Sequence, residues 1–166
     1  MQPARLITGK HSTIRILIVD DEESICTVLA RTVAPLGYPV DIALDAESAL
    51  DVMKEHPADV ALVDIRMPGH DGAWLIERLQ ATYPGTAIII VTGIQELDPR
   101  LTLRPGVVGY LTKPFETTKV REIVQQAVIL VRSLPTDAPP QAMSDPMSEH
   151  ELEDLRDIDL DKEDPC

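Results

Sequence analysis

The chain has 166 residues, 44% of them hydrophobic but only 3% aromatic, and a formal net charge of −13. That length accommodates one domain plus an appendage, with a core filled by Val, Ile, Leu and Ala. The longest apolar runs, such as Ala87–Val91, fall far short of a membrane span, and nowhere does the charge give the basic footprint of a nucleic-acid binder.

The charge is unevenly spread. From Pro135 onward there are eleven acidic and two basic residues, a net of −9, so the remainder is only mildly acidic. Residues 134–166 are rich in Pro, Asp and Glu and are expected to be a disordered acidic tail. Within it, Ser148 and Glu151 fit a capping box ahead of Leu152, Leu155 and Ile158, the pattern of a brief helix. Residues 1–12 read as an N-terminal extension. They carry basic residues but no apolar h-region, so no signal peptide is expected and a cytoplasmic location follows. Cys26 and Cys166 form no disulfide framework, and Cys26 reads as a small core residue.

Between residues 13 and 133, strand and helix patterns alternate. Ile14–Val19 is apolar except for Arg15 and reads as a buried strand. A helix follows with Ile25, Val28, Leu29, Thr32, Val33 and Leu36 on one face, stopped by Gly37. Val40–Ala43 is a short strand, and Asp45 caps a helix carrying Ala46, Ala49, Leu50 and Met53. Val60–Val63 is the third strand. Ala73–Ala81 is helical with Leu75, Ile76 and Leu79 inward, and Asp71 reads as its cap. Trp74, at its start, is expected to be partly exposed. Ala87–Val91 is the fourth strand. Pro99 and Pro105 leave room for only a short or irregular fourth helix within Ile94–Pro105. Val107–Leu111 is the fifth strand. Val120, Ile123, Val124, Ala127, Val128 and Val131 mark a long amphipathic helix.

Five such units predict an α/β fold, a doubly wound five-stranded parallel sheet with helices on both faces. Chemistry in such folds sits beyond the carboxyl ends of the strands. Polar residues stand there: Asp20 and Asp21 after the first strand, Asp64 after the third, Thr92 after the fourth and Lys113 after the fifth. Three carboxylates at close range are unfavourable without a cation. Hard oxygen ligands favour Mg²⁺, which keeps several waters and recruits phosphate oxygens. His11, His56, His70 and His150 show no ligand spacing and read as surface residues.

LIVDDEES at 17–24, LVDIRMPGHDG at 62–72, VTG at 91–93 and GYLTKPF at 109–115 together resemble the response-regulator receiver family, over about Ile14 to Arg132. The resemblance implies a flavodoxin-like strand order 2-1-3-4-5. It implies that Asp64 accepts a phosphoryl group, and that Asp20, Asp21, Asp64 and the backbone carbonyl of Arg66 hold Mg²⁺. Thr92 matches the hydroxyl that moves to the phosphoryl oxygen, Lys113 the lysine that contacts it, and Tyr110 an aromatic switch. Pro114 matches a proline preceded by a cis bond, and Gly93 a small residue that leaves room for the donor. Arg66 and Ile94 stand where the family tunes hydrolysis. Neither suits orienting a water, so slow autodephosphorylation is expected.

The function implied is that of a single-domain response regulator, not an enzyme beyond its own phosphorylation and dephosphorylation. Its donor would be a histidine kinase or a histidine phosphotransfer protein. Only 34 residues follow Arg132, too few and too acidic for a DNA-binding output domain. Output would pass to a downstream protein or a homodimer, with no nucleic acid or membrane. Two alternatives stand beside it: a phosphorylation-independent scaffold, which intact Asp64, Thr92 and Lys113 argue against, and a metal-dependent phosphohydrolase. The latter wants an acid two residues after its nucleophile, where this chain has Arg66.

Overall fold

The strands are β1 (Ile16–Val19), β2 (Val40–Ala43), β3 (Val60–Asp64), β4 (Ala87–Thr92) and β5 (Val107–Thr112). The helices are α1 (Glu23–Val33), α2 (Ala46–Glu55), α3 (Gly72–Thr82), α4 (Pro99–Thr102) and α5 (Thr117–Ser133). This is a computed structural model, and it describes residues 13–93 and 98–134. The N-terminal extension, Ile94, His11, His150, Cys166 and the Ser148–Ile158 segment lie outside the described residues.

Every residue of β1, β3 and β4 is buried. Strands of that kind need cover on both faces. The sheet supplies it: all pairings are parallel, in the order β2-β1-β3-β4-β5, the doubly wound arrangement expected. Side chains alternate between two apolar layers. Ile16, Ile18, Leu62 and Ile89 meet Leu29 of α1 and Val124 of α5. Leu17, Val63 and Ile90 meet Ala49 of α2 and Leu75 and Leu79 of α3. Each fully buried Ile or Leu contributes about 1.5–3 kcal/mol relative to exposure. The sheet is thus held firmly enough to carry polar groups at its edge.

The boundaries differ from expectation in places with a physical cause. β1 begins at Ile16, not Ile14. The Arg15 N–H donates to the Asp59 carboxylate (2.9 Å) instead of a strand neighbour, although Ile14 is still buried. Val28 does not face inward: it is 45% exposed. The buried stripe of α1 is Cys26, Leu29, Thr32 and Val33, and Val28 lies one step round the helix from it. After Val33 the chain tightens into a 3₁₀ turn, Ala34–Leu36, closed by Gly37 at φ 82°. Asp45 and Asp71 cap α2 and α3 by accepting from the Ser48 and Trp74 N–H groups. Trp74 is half-buried, stacked on His70 and approached by Arg78.

α4 is a single turn, with Pro99 in its first turn and Asp98 as its cap. β5 departs from regular pairing: Ile88 pairs with Val107 and Ile89 with Gly109, so Val108 is an extra, bulged residue. At Gly109 a Cβ would come 2.6 Å from Ile123 Cδ1. Glycine there lets α5 settle directly on β5. Among the described residues no helix is long and apolar enough to cross a membrane.

Candidate functional site

The ladder ends bring Asp20, Asp64, Thr92 and Lys113 to one edge. Val63 pairs with Val19, one residue before Asp20, and Asp64 pairs with Val91, one residue before Thr92. Thr92 pairs with Thr112, one residue before Lys113. Asp64 and Thr92 are themselves the last residues of β3 and β4. Asp21 follows Asp20 and is exposed, whereas Asp20 (1% exposed), Asp64 (4%) and Thr92 (0%) are buried.

Each carboxylate has defined company. Asp20 Oδ1 accepts from the Glu22 N–H (2.9 Å), a group at the start of α1 that has no helical partner of its own. Asp20 Oδ2 accepts from Lys113 Nζ at 2.7 Å. Beneath it, the buried Cys26 thiol donates to the Asp20 carbonyl (3.4 Å). Burial, then the Asp20 charge, pushes the Cys26 pKa up to about 11, so it remains a thiol. Asp64 Oδ1 accepts from the Arg66 N–H (3.3 Å), and Asp64 Oδ2 lies 3.6 Å from Lys113 Nζ. Lys113 is anchored through its backbone too, its N–H donating to the Thr92 carbonyl (2.7 Å). The Lys113–Pro114 peptide bond is cis. Tyr110 projects from β5 half into solvent, 51% exposed. Among the described residues nothing stands within 4 Å of where a Gly93 Cβ would be.

One lysine does not balance this edge. Burial, followed by the charge of Asp20, raises the Asp64 pKa to about 6, against the opposing pull of Lys113 and the Arg66 N–H. Burial works to lower the Lys113 pKa, but its bond to Asp20 and the charges of Asp64, Asp20 and Glu22 outweigh that and raise it. Carboxylate oxygens of Asp20, Asp21 and Asp64 all lie within 4.8 Å of one another. Three hard oxygen donors with excess negative charge, one of them open to solvent, fit a small divalent cation that retains water.

Two features escaped the sequence reading. The Glu22 N–H is a backbone donor, which no side-chain pattern reveals. Gly72 has no side chain for a pattern to single out, yet it packs on the backbone of Asp64.

Many known proteins resemble the chain in sequence and in fold. The chain is 29% identical over 130 residues to the transcriptional regulatory protein ZraR of Escherichia coli K12, covering 78% of this chain and 30% of that protein. It is 31% identical over 135 residues to ZraR of Salmonella typhimurium, covering 81% of this chain and again 30% of the relative. The chain thus spans under a third of the curated relatives it matches. Among solved structures, it resembles the signal receiver domain of an HD domain-containing protein from Pseudomonas fluorescens Pf-5. That match has a TM-score of 0.69 and 29% identity over 73% of this chain and 98% of that one. It also resembles a CheY-like response regulator receiver domain protein from Methanospirillum hungatei JF-1, with a TM-score of 0.68 and 30% identity over 73% and 98%. The model of the response regulator receiver domain matches residues 16–125, and the chain belongs to that family.

Proposed function

We propose that Asp64 is the residue of this receiver domain that takes up a phosphoryl group, from a histidine kinase or a histidine phosphotransfer protein. The observation that carries this is the buried Asp64 carboxylate at the end of β3, with two other carboxylates and Lys113 around it. Above pH of about 6 Asp64 is ionised and can act as a nucleophile. One of its oxygens attacks the phosphorus of a phosphohistidine. A P–O bond forms, the P–N bond breaks, and the electron pair leaves on the imidazole nitrogen, which takes a proton from solvent. A carboxylate is a weak nucleophile, so positioning and charge stabilisation carry the barrier.

Asp20, Asp21, Asp64 and the Arg66 carbonyl would hold Mg²⁺, which when bound neutralises charge on the carboxylates and the transferring oxygens. Lys113, already between Asp20 and Asp64, meets a phosphoryl oxygen as a point charge. The phosphoryl group adds roughly one to two negative charges beside Thr92 and Lys113. Thr92 answers as the sensor hydroxyl and Tyr110 as the switch, biasing the surface of α4, β5 and α5 toward a protein partner. The Arg66 side chain has neither a carboxylate nor an amide, so it has no acceptor to orient a hydrolytic water, and the phospho-aspartate is long-lived.

Acetyl phosphate with Mg²⁺ tests the reading. Intact-protein mass spectrometry should show one added phosphoryl group on the wild type and none on Asp64→Ala. Equal modification of both proteins would refute the assignment, and a phosphoprotein lifetime of seconds would refute its persistence.

A further inference from the structure

Asp64 is held from behind as well as in front. The loop from β3 to α3 leaves at Ile65 and returns at Gly72, whose N–H donates to the Ile65 carbonyl (2.9 Å). A Cβ at Gly72 would overlap the Asp64 carbonyl oxygen, stand 2.7 Å from Ile65 Cα and 2.9 Å from the Asp64 carbonyl carbon. All three are backbone atoms, so no flexible side chain can swing aside.

The conformation of Gly72 does not call for glycine. Among the described residues the glycines with positive φ are Gly37, Gly69 and Gly106, and Gly72 is not one of them. Gly69, in the same loop, is the reverse case: φ is 77°, with open space around the position of a Cβ. One loop therefore holds a glycine chosen for its backbone angle and a glycine chosen for close approach.

We propose that Gly72 is a positioning residue for Asp64: its missing side chain sets how closely the start of α3 seats on the end of β3, and so where the Asp64 carboxylate and the Arg66 carbonyl stand. An added methyl must drive the two backbones apart. Asp64 Oδ1 is already tied to the Arg66 N–H inside this loop, so the carboxylate and its loop shift together. Displacements on the order of 1 Å can cost about 100-fold in rate. Loss of a residue that supports metal ligands typically weakens metal binding about 10–100-fold.

The test compares Gly72→Ala with Gly69→Ala, Asp71→Ala and Leu75→Ala in the full chain. The last two loosen the same end of α3, by removing its cap or a buried side chain, without adding an atom over Asp64. Mg²⁺ affinity is read by calorimetry, and the rate of phosphorylation by acetyl phosphate at saturating Mg²⁺. Gly72→Ala should weaken Mg²⁺ binding at least about tenfold and slow phosphorylation about 10–100-fold. The three comparison variants should lose stability but keep Mg²⁺ affinity within about twofold of wild type. Equal Mg²⁺ affinity in Gly72→Ala and wild type overturns the proposal. So does a tenfold loss in Asp71→Ala or Leu75→Ala, since general order at the end of α3 would then suffice; these two carry the test if Gly72→Ala does not fold. The rate arm rests on Asp64 as the phosphoacceptor. If the wild type takes no phosphoryl group, that reading fails while the calorimetric arm still judges Gly72. A wild type that binds no Mg²⁺ overturns both.

Discussion

Lys113 donates to Asp20 at 2.7 Å, and its ammonium nitrogen is 3.6 Å from Asp64. The cation of this site is therefore committed first to a carboxylate proposed as a metal ligand, and only second to the carboxylate proposed as the nucleophile. This order has a cost for metal binding, since Asp20 must share its negative charge between an ammonium and an incoming ion.

Replacing the lysine separates these roles. Lys113→Ala should destabilise the metal-free protein by roughly 3 kcal/mol, the lower end of the range for removing one partner of a buried pair. The same variant should bind Mg²⁺ more tightly, by up to about tenfold, because the competing cation is gone. Phosphorylation by acetyl phosphate should nevertheless slow. Denaturant unfolding in chelator, calorimetry with Mg²⁺ and mass spectrometry measure the three effects. Weaker Mg²⁺ binding in the variant would contradict the competition.

Asp64 makes a pH-dependent contribution with a definite sign. Its folded pKa, about 6, lies above its ordinary value of 3.8, with burial the main cause. Its contribution to stability is thus fully present below pH 3.8 and is lost as pH rises through about 6. In chelator, Asp64→Asn should therefore be more stable than wild type at pH 7.5, by on the order of 2 kcal/mol. The gap should narrow toward pH 4.5. Mg²⁺ should raise the wild-type Tm and leave the variant nearly unchanged. Unfolding curves across that pH range decide it; a gap independent of pH would be the wrong result.

Gly109 and Ile123 form a matched pair. Gly109→Ala should cost about 1–3 kcal/mol by overpacking, because the new methyl meets the Ile123 side chain. Ile123→Val removes the Cδ1 atom nearest the clash. In a double-mutant cycle the second change should recover part of the loss, giving a favourable coupling energy of at least about 0.5 kcal/mol. Purely additive effects would mean that α5 shifts instead of clashing.

Asp45 caps α2 through two bonds to Ser48, to its N–H (2.7 Å) and its hydroxyl (2.9 Å). The Ser48 backbone bond, then the hydroxyl bond, holds the Asp45 pKa below its ordinary value. Its benefit is present above the unfolded value and is lost as pH falls through the depressed one. Asp45→Ala should cost about 1 kcal/mol at neutral pH. Thermal melts near pH 7 and in strong acid should show that the cost shrinks in acid.

The sheet could be read from the chain because β-branched apolar runs fully buried in a parallel sheet leave little alternative. The same runs placed Asp20, Asp64, Thr92 and Lys113 at strand ends, since a strand fixes the direction in which its successor residue leaves. Proline chemistry foretold the brevity of α4. Other features depend on what approaches from elsewhere in the fold. Val28 satisfies a helical period yet faces out, because helical spacing tolerates two neighbouring stripes and only one is covered. Gly72 and Gly109 look like turn or strand glycines, and their use lies in a neighbour's backbone or an Ile side chain. The preference of Lys113 for Asp20 over Asp64 is a matter of ångströms that residue types do not encode.

The sheet also acts as a partition. Leu29 and Val124 lie in one apolar layer, and Leu79 and Ala49 in the other. Substitutions on opposite sides share no side-chain neighbour, so their stability effects combine independently. The acidic edge belongs to both layers through β1 and β3, whose successive residues point alternately into each. Sequence drift can thus rework either layer separately, as long as it leaves alone the few contacts, such as Gly72 on Asp64, through which a helix bears directly on a strand end.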